Sequence, residues 1–383
     1  MPTTYDVYAA IIEHAPCAAK DLPFSTPIYA HLKALVEDNL LTKSGKRYAP
    51  KKTPEAKNIF EIIKYSLKHN LDYNIFFSKN MDIIITQLFA HAPMLRPREL
   101  RDNQDIVSTL KVLEVHQFML LTKLRPRQGA VLRHQLFEHI LRLHGKKLAL
   151  RQIPFIPVQE RILKIPSELV NPFDDSVYEF LAGSAQLEGG TVTPGETREL
   201  ILRDVYPDKP KEDIQMVKNL NEAMHYILEH LDKDITEDNI KELNRLVLFS
   251  LHRSAGTYKR AHNKIQGNPR FKTARPLDVA MLMREYCTSL QGIASKEHCL
   301  EEVGRIHNDL QHIHPFTDGN SRTTRMVMNW MLLKQRLPLL VLKMGSFDAY
   351  MGLTKLARER DDEQLKLLLH HVIYHEHLMK GSG

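Results

Sequence analysis

Apolar residues recur at three- and four-residue spacing in "VYAAIIEH", "IYAHLKALVEDNL", "AKNIFEIIKYSLKH", "VLRHQLFEHILRLH", "QMVKNLNEAMHYILEHL" and "MVMNWMLLKQRL". That period gathers apolar side chains on one face of an α-helix, and the face must be buried against another element. Strand-like alternation is rare and short. The pattern predicts a mainly α protein with small β elements. Prolines break it at "LALRQIPFIPVQERILKIPSELVNPF", where Pro154, Pro157, Pro166 and Pro172 interrupt any long helix.

These breaks suggest three parts: residues 1–50, 51–150 and 151–377. In the first, helical segments precede "LLTKSGKRYAP", two β-prone pieces around Ser44-Gly45. Three helices followed by a hairpin is the order of a winged helix, with Ser25 the expected N-cap of "TPIYAHLKALVEDN". Lys43, Lys46 and Arg47 on the hairpin are placed to touch phosphates. A protein–protein module of the same shape is the other reading. Residues 51–150 read as a basic helical connector.

Charge sharpens this division. The net charge of +7 is uneven: residues 1–150 carry 22 Lys/Arg against 14 Asp/Glu, and residues 151–383 carry 31 against 32. The N-terminal excess suits nucleic acid or a DNA-associated protein, or is a solvated helical surface. No apolar run approaches the roughly 18 residues of a membrane span. The opening lacks the basic-then-apolar order of a secretory signal. Three cysteines, Cys17, Cys287 and Cys299, with no CxxC, suit a reducing compartment. The cytoplasm is therefore expected, or delivery into a host cell by a non-classical route. Four histidines in "HHVIYHEH" lack an HExxH frame and completing ligands, and read as a polar helix face with no metal.

The candidate chemistry lies in "IHPFTDGNSRTTR", Ile313 to Arg325. Before it, Val303, Ile306, Leu310 and Ile313 share one helix face; after it another helix begins. Pro315 and Gly319-Asn320 cannot comfortably continue the first helix, so helix, loop, helix is expected. The free N–H groups opening the second helix favour an anion. Asn320 can donate from its amide, and Arg322 and Arg325 can clamp phosphate oxygens. Asp318 suits Mg²⁺ held partly by phosphates, and His314 suits proton transfer near neutral pH. Together these describe phosphoryl or nucleotidyl transfer.

The stretch resembles the Fic motif, H-x-F-x-[DE]-G-N-G-R-x-x-R, at every fixed position but one. The likeness extends back through "GRIHNDLQHIHPF" and on through "MVMNWML" and "DAYMGLTKLARERDDEQLKLLLHHV". It implies the helical Fic/Fido fold with a β-hairpin flap. Fic proteins mostly transfer AMP from ATP to a Ser, Thr or Tyr hydroxyl of a target protein. The resemblance implies that His314 deprotonates that hydroxyl, Phe316 holds the loop and Asp318 holds Mg²⁺. The Gly319–Asn320 backbone and Asn320 side chain would bind the α-phosphate, Arg322 the β-phosphate and Arg325 the γ-phosphate. A homodimer is implied by analogy with many relatives.

Two further segments carry the resemblance. "SAQLEGGTVTPGE" fits the inhibitory-helix pattern [ST]-x-x-x-E-[GN] with Ser184, Glu188 and Gly189, N-terminal to the motif as in class II. Glu188 would then pair with Arg325, displace the γ-phosphate, and place a water for hydrolytic removal of AMP. "AGTYKRAHNKIQGNPRFKTARPLDV", Ala255 to Val279, resembles the flap. There Lys264, Ile265 and Gln266 would register the target by strand addition.

The departure is Ser321, where the family has glycine. If the position needs positive φ or close backbone contact, serine weakens phosphate binding; otherwise its hydroxyl adds a donor. We expect the first, and so an enzyme that removes AMP more readily than it adds it. Two alternatives stay open. One is the same fold moving another nucleotide, phosphocholine or phosphate. The other is a DNA-binding regulator with a nucleotide-sensing Fic part.

Overall fold

The computed structural model describes residues 1–90, 104–124, 127–143, 155–167 and 170–380. Expectations that fall on 91–103 and 144–154, including part of the basic connector and Pro154, lie outside the described residues. Helices dominate, as the 3.6-residue period requires. The described residues divide into two compact units.

The smaller unit comprises residues 1–90, 104–110 and 134–143. Helix α1 (Thr4–His14) opens on a capping box: Thr3 accepts the Asp6 N–H, and Asp6 accepts the Thr3 N–H. There follow β1 (Cys17–Ala18), a 3-10 turn at Ala19–Asp21, α2 (Tyr29–Glu37), β2 (Leu41–Ser44) and β3 (Arg47–Pro50). The strands form an antiparallel sheet in the order β1-β3-β2. One expected helix is thus replaced by a strand and a 3-10 turn. Ser25 is not the cap of α2, which starts at Tyr29 behind Ile28; Pro27 disfavours helical geometry at the residue before it. Val7, Tyr8, Ile11, Leu32, Leu35 and Tyr48 form the core. Lys43, Lys46 and Arg47 are exposed on the β2–β3 hairpin. Helix α3 (Pro54–Lys68) starts with Thr53 as cap and Pro54 at its first position. Helices α4 (Lys79–Ala90) and α6 (Gln135–Leu143) complete this unit, while α5 (Gln104–Val115) divides between the units after Leu110.

The larger unit comprises 111–124, 127–133, 155–167 and 170–380. Residues 119–131, read from sequence as part of a helical connector, form a hairpin of β4 (Met119–Leu124) and β5 (Arg127–Val131). Met119, Leu120 and Leu121 are all fully buried, so the strand reads as an apolar run with no period-2 signal. Helices α7 (Gln159–Leu163), α8 (Asp175–Gln186), α9 (Pro194–Arg203), α10 (Lys211–Glu229) and α11 (Glu237–Val247) follow. Then come α12 (Val279–Gln291), α13 (Lys296–Ile313), α14 (Asn320–Lys334), α15 (Phe347–Leu353) and α16 (Asp362–Lys380).

Helix α14 is the centre: every residue from Asn320 to Leu333 is buried. Helix α13 packs on it and buries Val303, Ile306 and Leu310, each stabilising by about 2 kcal/mol on burial. Gly304 lets α16 approach α13, since a Cβ there would lie 2.2 Å from the Asp362 carbonyl oxygen. The histidines of α16 do not form a solvated polar face. His370, His371 and His375 are buried. The first two bond the carbonyls of Leu300 and Ile156. His375 accepts the Leu121 N–H at Nδ1 and bonds the Glu114 carbonyl through Nε2. They satisfy buried backbone groups, which burial would otherwise penalise. No described helix is long and apolar enough to cross a membrane.

Candidate active site

The α13–α14 junction is shaped by two left-handed residues. His314 ends α13 with φ 48°, and Gly319 precedes α14 with φ 75°. Pro315 disfavours helix at His314, so the chain must leave α13 there. At Gly319 a Cβ would sit 2.9 Å from Leu248 Cγ and 3.0 Å from Asn244 Nδ2, on top of the positive φ. Ser321, in contrast, is an ordinary helical residue in the first turn of α14. The expected backbone strain at Ser321 is absent; the residue needing glycine lies two positions earlier.

Asn320 fastens the loop. Its Oδ1 accepts the Phe316 N–H at 2.9 Å and its Nδ2 donates to the Phe316 carbonyl at 2.8 Å. The oxygen and one N–H of this side chain are thus engaged with the loop, which the sequence reading had not given it. The backbone N–H groups of Asn320, Ser321 and Arg322 remain as the anion cradle, because a helix's first residues have no intrahelical carbonyl to bond. Asn244 on α11, fully buried, donates to the Asp318 carbonyl (3.0 Å) and Thr323 Oγ1 (3.1 Å), and accepts the Gly256 N–H (2.9 Å). It ties the loop to the start of the flap, and nothing in its amphipathic segment marked it.

His314 is set up as a neutral base. Nδ1–H donates to the Gln311 carbonyl at 3.1 Å, which leaves Nε2 with its lone pair. Burial pushes its pKa down to about 4, against the opposing Gln311 bond and with help from the Lys259 and Lys355 ammonium groups. Lys259, itself buried, donates to the Ile313 carbonyl at 3.1 Å. Burial pushes its pKa down to about 8.

Arg325 is held by three bonds from two of its nitrogens. Its Nε donates to Ser184 Oγ (2.8 Å), and its Nη2 to the Ser184 carbonyl (2.9 Å) and Glu188 Oε1 (2.8 Å). Tyr350 meets His307 Nε2 at 2.8 Å. Burial alone would raise the Glu188 pKa; Arg325 first, then Lys355 and Arg322, more than offset it and hold Glu188 ionised. Gly189, at φ 96°, turns the chain directly after Glu188. Ser184, Glu188 and Arg325 thus meet as the sequence suggested. Arg322 lies 3.5 Å from Asp318 Oδ2, and its buried Nε has no partner among the described residues.

One cavity of about 440 Å³ is lined by Glu188, His314, Asp318, Asn320, Ser321, Lys355 and residues 261–266, Lys264, Ile265 and Gln266 among them; Arg322 and Arg325 lie behind this lining. The expected flap is present as an irregular segment and not as a hairpin. Its one backbone bridge joins Tyr258 to Phe316, and Asn263 donates to the Phe316 and Thr317 carbonyls. Residues 262–265 belong to no sheet, so their backbone edge remains open beside His314. Lys355 was missed from sequence because it follows the motif by 30 residues with no pattern of its own.

Residues 234–332 match the Fic/DOC family model, and they contain Asn244, the flap and the His314–Arg325 loop. Residues 234–332 are thus similar to the Fic/DOC domain. The chain is 30% identical over 192 residues to the Protein adenylyltransferase Fic of Drosophila yakuba, and equally to that of Drosophila melanogaster. Each match covers 49% of this chain and 38% of the relative, so the chain spans well under half their length. A Fic family protein from Desulfovibrio desulfuricans shares the fold at a TM-score of 0.50 and 16% identity, covering 58% of this chain and 72% of that one. The Fic domain matched here excludes α8, so the Glu188–Arg325 pair joins the domain to a segment outside it.

Proposed function

We propose that this protein is a Fic-type adenylyltransferase that transfers AMP from ATP to a Ser, Thr or Tyr hydroxyl of a target protein, restrained by Glu188. The observation that carries the reading is Arg325 held by Glu188 at 2.8 Å, with Glu188 lining a cavity that also presents a neutral His314. In the forward reaction His314 Nε2 takes the proton of the target hydroxyl. The target oxygen bonds the α-phosphorus, the bond to the bridging oxygen breaks, and pyrophosphate leaves. The first N–H groups of α14 face the charge that develops on the phosphate, and Arg322 adds a cation behind them. The open edge at residues 262–265 pairs with an extended target segment.

Asp318 is the donor present for Mg²⁺. Its side chain is 55% exposed beside the phosphate cradle. One carboxylate suits an ion that keeps its waters and shares phosphate oxygens. Bound there, the ion would neutralise charge on the departing phosphates.

With Glu188 in place, the cavity favours the reverse chemistry. A water gives one proton to the Glu188 carboxylate as its oxygen bonds the α-phosphorus of an AMP-modified hydroxyl; the bond to the target oxygen breaks, that oxygen takes a proton from His314 Nε2, which enters this direction protonated, and AMP is released. This needs the cradle, His314 and Glu188 but not Arg325. Incubating the Glu188→Gly protein with labelled ATP, Mg²⁺ and cell lysate should label a protein band that is absent with Glu188→Gly/His314→Ala. No band in either overturns the transferase reading. Exposed Lys43, Lys46 and Arg47 support a second role, contact with nucleic acid; salt-dependent binding of duplex DNA by the full chain tests it.

A further inference from the structure

Lys355 lies in the turn after α15, and the flap holds that turn in place. Asn268 donates from its side-chain amide to the carbonyls of Lys355 (3.0 Å) and Ala357 (2.8 Å). The Lys355 side chain lines the cavity with Glu188, His314 and Asp318. Each other buried cation nearby has a partner. Arg325 bonds Ser184 and Glu188, Arg322 faces Asp318, and Lys259 caps Ile313. The Lys355 ammonium makes no hydrogen bond or ion pair with any described residue, and the residue is only partly exposed. Burial pulls its pKa down, and Glu188 opposes that pull. A half-desolvated ammonium without a partner is unfavourable, so an arriving anion gains more there than at a solvated lysine such as Lys264.

We infer that Lys355 is a phosphate-binding residue of this cavity, and that it holds a nucleotide's phosphate while Glu188 occupies Arg325. This rests on the nucleotide chemistry proposed above and adds a consequence. The restrained state still binds nucleotide, through the α14 cradle and Lys355 together, and release of Glu188 adds Arg325 as a further phosphate contact. The rival role for Lys355 is electrostatic support of Glu188 alone. The two differ in what loss of the ammonium does.

The test titrates ADP with Mg²⁺ into the full chain by calorimetry, using Lys355→Ala and Lys355→Arg in the wild-type and Glu188→Gly backgrounds. Loss of a charge-assisted contact should weaken ADP binding by about 10- to 150-fold in Lys355→Ala. Lys355→Arg should keep most of the affinity, and serves also if the alanine variant fails to fold. In the Glu188→Gly background the loss should be smaller, because Arg325 is free to share the phosphates. ADP affinity within about twofold of wild type for Lys355→Ala, or no ADP binding by the wild-type protein, overturns the inference. So does unchanged affinity with raised AMP incorporation, which assigns Lys355 to securing Glu188. If Glu188→Gly labels no target while Lys355→Ala weakens ADP binding, the transferase reading fails and the phosphate role stands.

Discussion

Replacing Glu188 tests the restraint most directly, and the structure sets its size. Glu188 Oε1 accepts one charge-assisted bond from Arg325 Nη2, whereas the two Ser184 bonds to the same guanidinium do not involve Glu188. Glu188→Gly therefore frees one face of Arg325 and leaves the guanidinium aimed where it is. A hydrogen bond to a charged group contributes about 1.5–3 kcal/mol. If that contact passes from Glu188 to a γ-phosphate, kcat/KM for AMP transfer should rise by about 10- to 150-fold. Glu188→Gln keeps the shape and the acceptor but loses the charge, so its rise should be smaller. The variants should also be less stable, because Arg325 is 3% exposed and loses its counter-ion. Partial access of solvent at Glu188 moderates this to about 2 kcal/mol, a fall in Tm of about 4–8 °C for a unit of this size. ATP should restore more Tm in Glu188→Gly than in wild type, since only there does Arg325 await an anion. The assay is initial-rate incorporation of labelled AMP into a captured target, with thermal melts alongside. Equal rates for wild type and Glu188→Gly at saturating ATP, with both proteins folded, would refute the reasoning.

Four more outcomes follow from the junction and the buried histidines. With His314 titrating near 4, the acid limb of kcat/KM should fall near pH 4 and not near 6.5, because the neutral ring persists down to that pH; a limb at 6.5 in initial-rate profiles would contradict the buried geometry. His307 (about 3), His116 (about 4) and His370 (about 4) are depressed by burial in the same way. The unfolded chain therefore binds more protons below pH 6.5, and stability should fall as pH drops from 6.5 towards 4, seen as a falling urea midpoint. Gly319→Ala combines a left-handed φ with a 2.9 Å contact to Leu248 and should cost about 2–5 kcal/mol, read as a lowered melting temperature; an unchanged Tm would sink the account. Ser321→Gly in the Glu188→Gly background should leave AMP incorporation unchanged or lower it by up to about tenfold, through loss of a donor and of helix propensity; an increase would show that the serine is a brake after all.

How much of this was legible in the sequence depends on the range of the interaction. The helices α3, α10, α13 and α14 were readable because their cores repeat at helical spacing within one segment. The loop between α13 and α14 was readable because Pro315 and Gly319 act on their immediate neighbours. The hairpin at residues 119–131 was not, since a strand buried on both faces carries no alternation. Nor was the burial of His370, His371 and His375, whose partners at Leu300, Ile156, Leu121 and Glu114 lie 70 to 261 positions away. Within the site, residue types were legible and their partners were not. An asparagine next to a phosphate cradle can serve the ligand or the loop, and only the fold shows Asn320 bonded to both backbone groups of Phe316.

The same distinction explains why Ser321 was assigned a burden that Gly319 bears. A glycine in a motif has two physical causes, positive φ or a close neighbour, and sequence shows neither. Helix α14 begins at Asn320, so φ must change sign between 319 and 320, and whatever stands at 321 is already helical. The constraint on 321 is then set by what occupies the cavity it lines, not by the backbone. On the proposed reading, restraint resides in the contact of Glu188 with Arg325, 137 residues apart, and not within the loop itself. An acid released from Arg325 would leave the loop, its staple and its left-handed residues unchanged. On that reading, activation requires displacement of Glu188, just after α8, and no rebuilding of the α13–α14 junction.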